Sequence, residues 1–164
     1  MKKFIKYSLF GIIYLTVIFI LAIMFIVTAK ADLTKPNDGI EPYQVVNIQL
    51  VGLKNNDAPY KNYGIEQTWE FAHPSNKKYT GPLPRFINLL SGESYKMLLN
   101  HIENEIIEVF KSNNRHGFEV TILAKNKSYY KFQWVVERYY EEGPLKDCWL
   151  TTSVSSPVSL GSSI

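Results

Sequence analysis

The stretch FEVTILAKNKSYYKFQWVVE, residues 118–137, reads as two strands and the turn between them. Phe118, Val120, Ile122 and Ala124 alternate with Glu119, Thr121 and Lys125, with Leu123 as an exception. Tyr130, Phe132, Trp134 and Val136 alternate with Lys131, Gln133, Val135 and Glu137. A period of two places one set on a covered face and the other toward water. Lys125-Asn126-Lys127-Ser128 is a polar turn, and a turn that short joins only antiparallel neighbours. A hairpin therefore anchors the second half of the chain.

Working outward, Glu105 to Lys111 reads as an earlier strand, joined through Asn113-Asn114. Glu141-Glu142-Gly143-Pro144 is another turn, and a last strand is expected from about Lys146 to Val154. The first half has a helical period. Tyr43, Val46, Leu50 and Leu53 form one stripe over about Pro42 to Lys54, with Pro42 in the first turn. A second helix is expected from about Asn62 to Ala72, with Ile65, Trp69 and Ala72 on one face, stopped by Pro74. His73 to Pro84 holds three prolines and a glycine and reads as a loop. Pro84 then opens a short helix with Phe86, Leu89 and Leu90 inward. Another carries Tyr95, Leu98, Leu99 and Ile102. The fold class is α+β, with helices covering one face of a four-stranded antiparallel meander.

Leu9 to Val27 is 19 residues without a charge. As a helix it would rise about 28 Å, which matches a bilayer core. Lys2, Lys3 and Lys6 precede it, so the positive-inside rule places the N-terminus in the cytoplasm and the domain on the extracytoplasmic side. Ala29-Lys30-Ala31 has the form of a signal-peptidase site, whereas the apolar stretch is longer than a cleaved signal usually carries. Retained single-pass anchor and export with cleavage after Ala31 both stay open. The organisation expected is a membrane segment over 1–31, a polar linker over 32–39, the α+β domain over 40–154 and a serine-rich, fraying tail over 155–164.

Composition narrows the function classes. The chain has 18 basic and 15 acidic residues. Lys2, Lys3, Lys6 and Lys30 belong to the membrane segment, while every acid lies at Asp32 or later. The domain thus has no positive excess with which to hold phosphates, and nucleic acid is not an expected partner. Cys148 is the one cysteine, so no intramolecular disulfide can form. His73, His101 and His116 have no metal-ligand spacing. No cofactor is called for. Asn126-Lys127-Ser128 fits a glycosylation pattern that is common by chance.

Two blocks carry a resemblance. One is Trp69-Glu70-Phe71-Ala72-His73-Pro74-Ser75-Asn76, continuing through Thr80-Gly81-Pro82-Leu83 to Arg85-Phe86. The other is Cys148-Trp149-Leu150-Thr151. With Tyr95 and Leu98-Leu99 they resemble an uncharacterised bacterial and plastid domain-of-unknown-function family within the NTF2-like superfamily. His73 stands where that pattern has serine, and Leu150 where it has methionine. The resemblance, over roughly residues 43–154, implies a cone of helices on a curved sheet. It carries over no activity and no catalytic residue.

Such a cone would hold a pocket between sheet and helices. Trp69, Phe71, Trp134 and Trp149 are candidates for its wall, or they fill the core. His73, Lys77 and Arg85, with Lys78 and Tyr79, could hold an anionic head group at its mouth, or form a solvated loop. Arg138 would line the pocket or pair with a buried carboxylate such as Glu70. Cys148 is a further candidate for the pocket lining, or a small buried hydrophobe, and a nucleophile only if a base such as His73 sits beside it. The expected function is a non-enzymatic domain that binds a small amphipathic ligand or an envelope partner protein. An acid–base enzyme of isomerase or dehydratase type would need Glu66, Glu70 or His73 in the pocket. A self-associating scaffold would use the aromatic strand Tyr129 to Tyr140, giving a homodimer.

Overall fold

The computed structural model describes residues 32–162. The apolar segment Leu9 to Val27 lies outside them. Among the described residues no helix is long and apolar enough to cross a membrane. The order is α1 (Pro42–Lys54), α2 (Tyr63–Glu70), α3 (Pro74–Thr80), α4 (Leu83–Ser91), a 3₁₀ turn (Lys96–Leu98), then β1 (Glu103–Lys111), β2 (Arg115–Leu123), β3 (Ser128–Arg138), β4 (Trp149–Val154) and β5 (Val158–Ser162).

All strand pairings are antiparallel. The hairpin pairs Phe118 with Trp134 and Ile122 with Tyr130. β1 lies on the far side of β2. The other edge of β3 is shared: β4 runs beside Trp134 to Arg138, and β5 beside Ser128 to Lys131. Register shifts interrupt β1 near Val109 and β4 at Thr152. Such bulges bend and twist a sheet locally.

The helices cover one face. Val45, Val46, Leu50 and Leu53 of α1 meet Phe118, Val120, Phe132, Trp134 and Val136 in one core. The inner stripe of α1 differs from the expected one at its start. Val45 is buried, while Tyr43 is half exposed, its ring set edge-on to that of Phe118 at 6.4 Å between centroids. α2 crosses α1 at Gly52 and Gly64, so closely that a Cβ on Gly64 would sit 2.0 Å from the Gly52 carbonyl oxygen. The backbone of Phe71 to His73 then seals the free edge of β4: Thr151 N–H donates to the Phe71 carbonyl at 2.8 Å, and His73 N–H to the Thr151 carbonyl at 2.9 Å.

Three expectations are corrected. Residues 73–84 are not all loop, because His73 caps and Pro74 opens the helix α3, and Gly81 closes it at φ 80°. Pro74 in the first turn and a left-handed glycine at the end are helix punctuation, here around only seven residues. The segment around Tyr95 to Ile102 shortens to a single 3₁₀ turn. The serine-rich end does not all fray: β5 adds a fifth strand, because β3 is long enough to pair with two strands in succession.

The linker is fastened too. The Gln67 side-chain amide accepts from Thr34 N–H at 2.8 Å and donates to the Thr34 carbonyl at 2.9 Å. Lys35 pairs with Glu70 at 2.8 Å.

Candidate functional site

A cleft of about 70 Å³ opens between α1, α2, α3, α4 and the β3–β4 end of the sheet. Leu53, Ala72, Phe86, Leu89, Leu90, Leu98 and Val154 make its apolar walls. α4 contributes most because its inner side is a run of Phe86, Leu89 and Leu90. Leu89 remains 38% exposed and stands at the mouth.

The floor is polar. Trp134 Nε1 donates to Gln49 Oε1 at 3.0 Å and also lies 3.2 Å from Thr151 Oγ1. The Thr151 hydroxyl donates to the same Gln49 oxygen at 2.6 Å. Gln49 Nε2 donates to the Thr68 carbonyl at 3.0 Å. Gln49, Trp134 and Thr151 are at most 2% exposed. An indole N–H only donates, so it fixes which end of the Gln49 amide faces it. Three elements far apart in sequence thus meet in one network: α1, β3 and β4. Around it, Asn76 Nδ2 donates to the Thr151 carbonyl at 3.3 Å, Thr80 Oγ1 to the Asn76 carbonyl at 3.0 Å, and Tyr95 OH to the Val154 carbonyl at 3.4 Å. None of the groups lining this cleft is a carboxylate, an imidazole, a thiol, an ammonium or a guanidinium.

Of the aromatic wall candidates, Trp134 lines the cleft. Phe71 is wholly buried in the core, and Trp149 packs with its ring 4.8 Å from His116. Trp69 is half buried behind Phe86, at 5.1 Å between rings. The cationic cluster is dispersed. Lys77 Nζ sits over the Trp69 ring at 5.1 Å, and burial lowers its pKa. Arg85 is exposed, with its stem against Gly81. His73 turns its ring edge toward Tyr139, and its Nδ1 accepts from Ser75 N–H at 3.1 Å as the cap of α3. Burial lowers the His73 pKa, which favours the neutral ring that this cap requires.

Arg138 does not reach Glu70, which Lys35 occupies; its Nε lies 3.3 Å from Asp147 Oδ1. Cys148 is buried, with its thiol 3.8 Å from the Lys146 carbonyl. Burial raises the thiol pKa, and Asp38 and Asp147 add to it, so little thiolate forms at neutral pH. Glu66 accepts from Tyr60 OH at 2.7 Å, outside the cleft. Among the described residues no cluster of three metal-ligating groups occurs.

Sequence reasoning missed Gln49, Thr151, Asn76 and Tyr95 as site residues. The signal for Gln49 was present: it falls on the inner stripe of α1, three residues after Val46 and one before Leu50. A polar residue there needs partners on the facing sheet. No protein-family model matches the chain, and no curated protein or solved structure is significantly similar to it.

Proposed function

We propose that this chain is an anchored or exported protein whose domain stands on the extracytoplasmic side and binds a small amphipathic ligand in the cleft, without chemistry. Its sheet and helices are read as an NTF2-like cone, with the cleft as the cone's opening. The observation that carries the ligand reading is the Gln49–Trp134–Thr151 network at the floor of an apolar cleft. Apolar walls with a few fixed polar groups are the usual composition of small-molecule sites. The anchor reading rests on the uncharged Leu9 to Val27 stretch and the lysines before it. An acid–base enzyme is disfavoured because no ionisable acid or base other than Tyr95 lines the cleft. Native mass spectrometry of the full chain, released from lipid nanodiscs, tests the reading. A reproducible small extra mass is expected, and it should be absent when Leu89→Trp fills the mouth. An identical bare mass for both proteins would end it.

A second reading, self-association, is favoured by a different surface. Ile107, Val109 and Phe110 of β1 are about half exposed, and Val109 and Phe110 flank Gly117 and Val135 on the uncovered face. Sedimentation of the full chain in nanodiscs of single-chain size should then show pairs that Phe110→Asp separates. Single particles for both proteins would remove this reading.

A further inference from the structure

We infer that the cleft selects an uncharged ligand: a neutral head bearing a hydrogen-bond acceptor, on an apolar body, in preference to the matching carboxylate or ammonium. The inference rests on the cleft being a ligand site and adds the class of ligand. It follows from counting what the floor has left to offer. Gln49 Oε1 accepts from both Trp134 Nε1 and the Thr151 hydroxyl, so its two acceptor positions are taken. Gln49 Nε2 gives one proton to the Thr68 carbonyl. Its second N–H has no partner among the described residues, and the amide lines the cleft. The floor therefore presents one neutral donor, with the Thr151 oxygen beside it; on the wall the Asn76 amide, which gives one proton to the Thr151 carbonyl, adds a second N–H and its Oδ1, both neutral.

A carbonyl, ether or hydroxyl oxygen matches one neutral donor. A carboxylate does not, because it would surrender several waters for one or two neutral N–H groups with no cation lining the site. The cationic Lys77 is spent on the Trp69 ring and is not among the lining groups. An ammonium is refused for the converse reason. It brings three donors to a floor whose strongest acceptor is already doubly occupied and where no carboxylate stands.

The test uses the full chain in lipid nanodiscs at neutral pH and four probes of one chain length: 1-hexanol, hexanamide, hexanoate and hexylammonium. The readout is methyl NMR of Leu53, Leu98 and Val154, with exposed Val51 as the control for unspecific partition. Hexanamide and hexanol should shift the three cleft methyls saturably. Hexanoate and hexylammonium should need at least roughly tenfold more, a difference of about 1.4 kcal/mol. Leu89→Lys, which places a cation at the exposed mouth without touching the floor, should bring hexanoate up toward hexanamide. If hexanoate matches hexanamide in the unaltered protein, the neutral-head inference is overturned while the cleft stands as a site. If none of the four moves the cleft methyls beyond Val51, the ligand reading itself fails and takes this inference with it.

Discussion

Val45, Val46, Leu50 and Leu53 form the inner stripe of α1, and Gln49 interrupts it with an amide that three buried groups depend on. Gln49→Leu keeps the size but leaves the Trp134 N–H without its best acceptor. It should cost about 1–3 kcal/mol, the range for orphaning a buried polar group, read from urea unfolding followed by tryptophan fluorescence. An unchanged midpoint would mean that Thr151 alone satisfies the indole. His101 shows the same scale at a titratable group. It is buried, with Nδ1 2.8 Å from the Leu98 carbonyl, and burial lowers its pKa, as it does for His73. A histidine with a depressed folded pKa binds its proton more weakly folded than unfolded. Its contribution is intact above the ordinary value of about 6.5 and is lost as pH falls through the folded value. Unfolding free energy should therefore drop as pH falls below about 6.5, and His101→Gln should flatten part of that drop. Equal slopes for the two proteins would show that His101 titrates freely.

α1 and α2 touch through Gly52 and Gly64, and the crossing has no room for a side chain. Gly64→Ala should destabilise by roughly 3 kcal/mol or more, because the atom it would meet is backbone and cannot turn aside. A thermal midpoint within a degree or two of the parent would show instead that the helices slide apart freely. Nothing in the sequence marks Gly64 out, since a close helix crossing depends on a partner ten or more residues away. Other elements were legible to different degrees, for physical reasons. The β2–β3 hairpin could be read because alternation, broken only at Leu123, and turn chemistry agree along most of it. α1 could be read from its period, and its one polar intruder turned out to be the centre of the site. α3 could not, because seven residues hold too little periodicity and its proline and glycine also describe a loop. β5 could not either. Val158 to Ser162 is exposed throughout, and what makes it a strand is the vacant edge of β3 rather than its own pattern.

At the scale of the whole molecule, the same few connections close the cleft and hold the ends. The backbone of Phe71 to His73 joins the helical half to β4, beside the Thr151 of the floor. At the start of the domain, Gln67 holds Thr34 by both its N–H and its carbonyl. Gln67→Leu should release that residue. Amide hydrogen exchange at Thr34 should quicken by about tenfold or more, while exchange in β2 and β3 stays as it was. Equal protection at Thr34 would mean that Lys35 and Glu70 hold the linker alone. The clasp has a mechanical consequence. Tension entering the domain from its N-terminal side meets Thr34 before it meets Pro36 or α1. Two bonds on one residue, one to each of its flanking peptides, share that pull, so Gln67 acts as a strain relief that keeps a pull on the linker from prising α1, and with it Gln49, off the sheet.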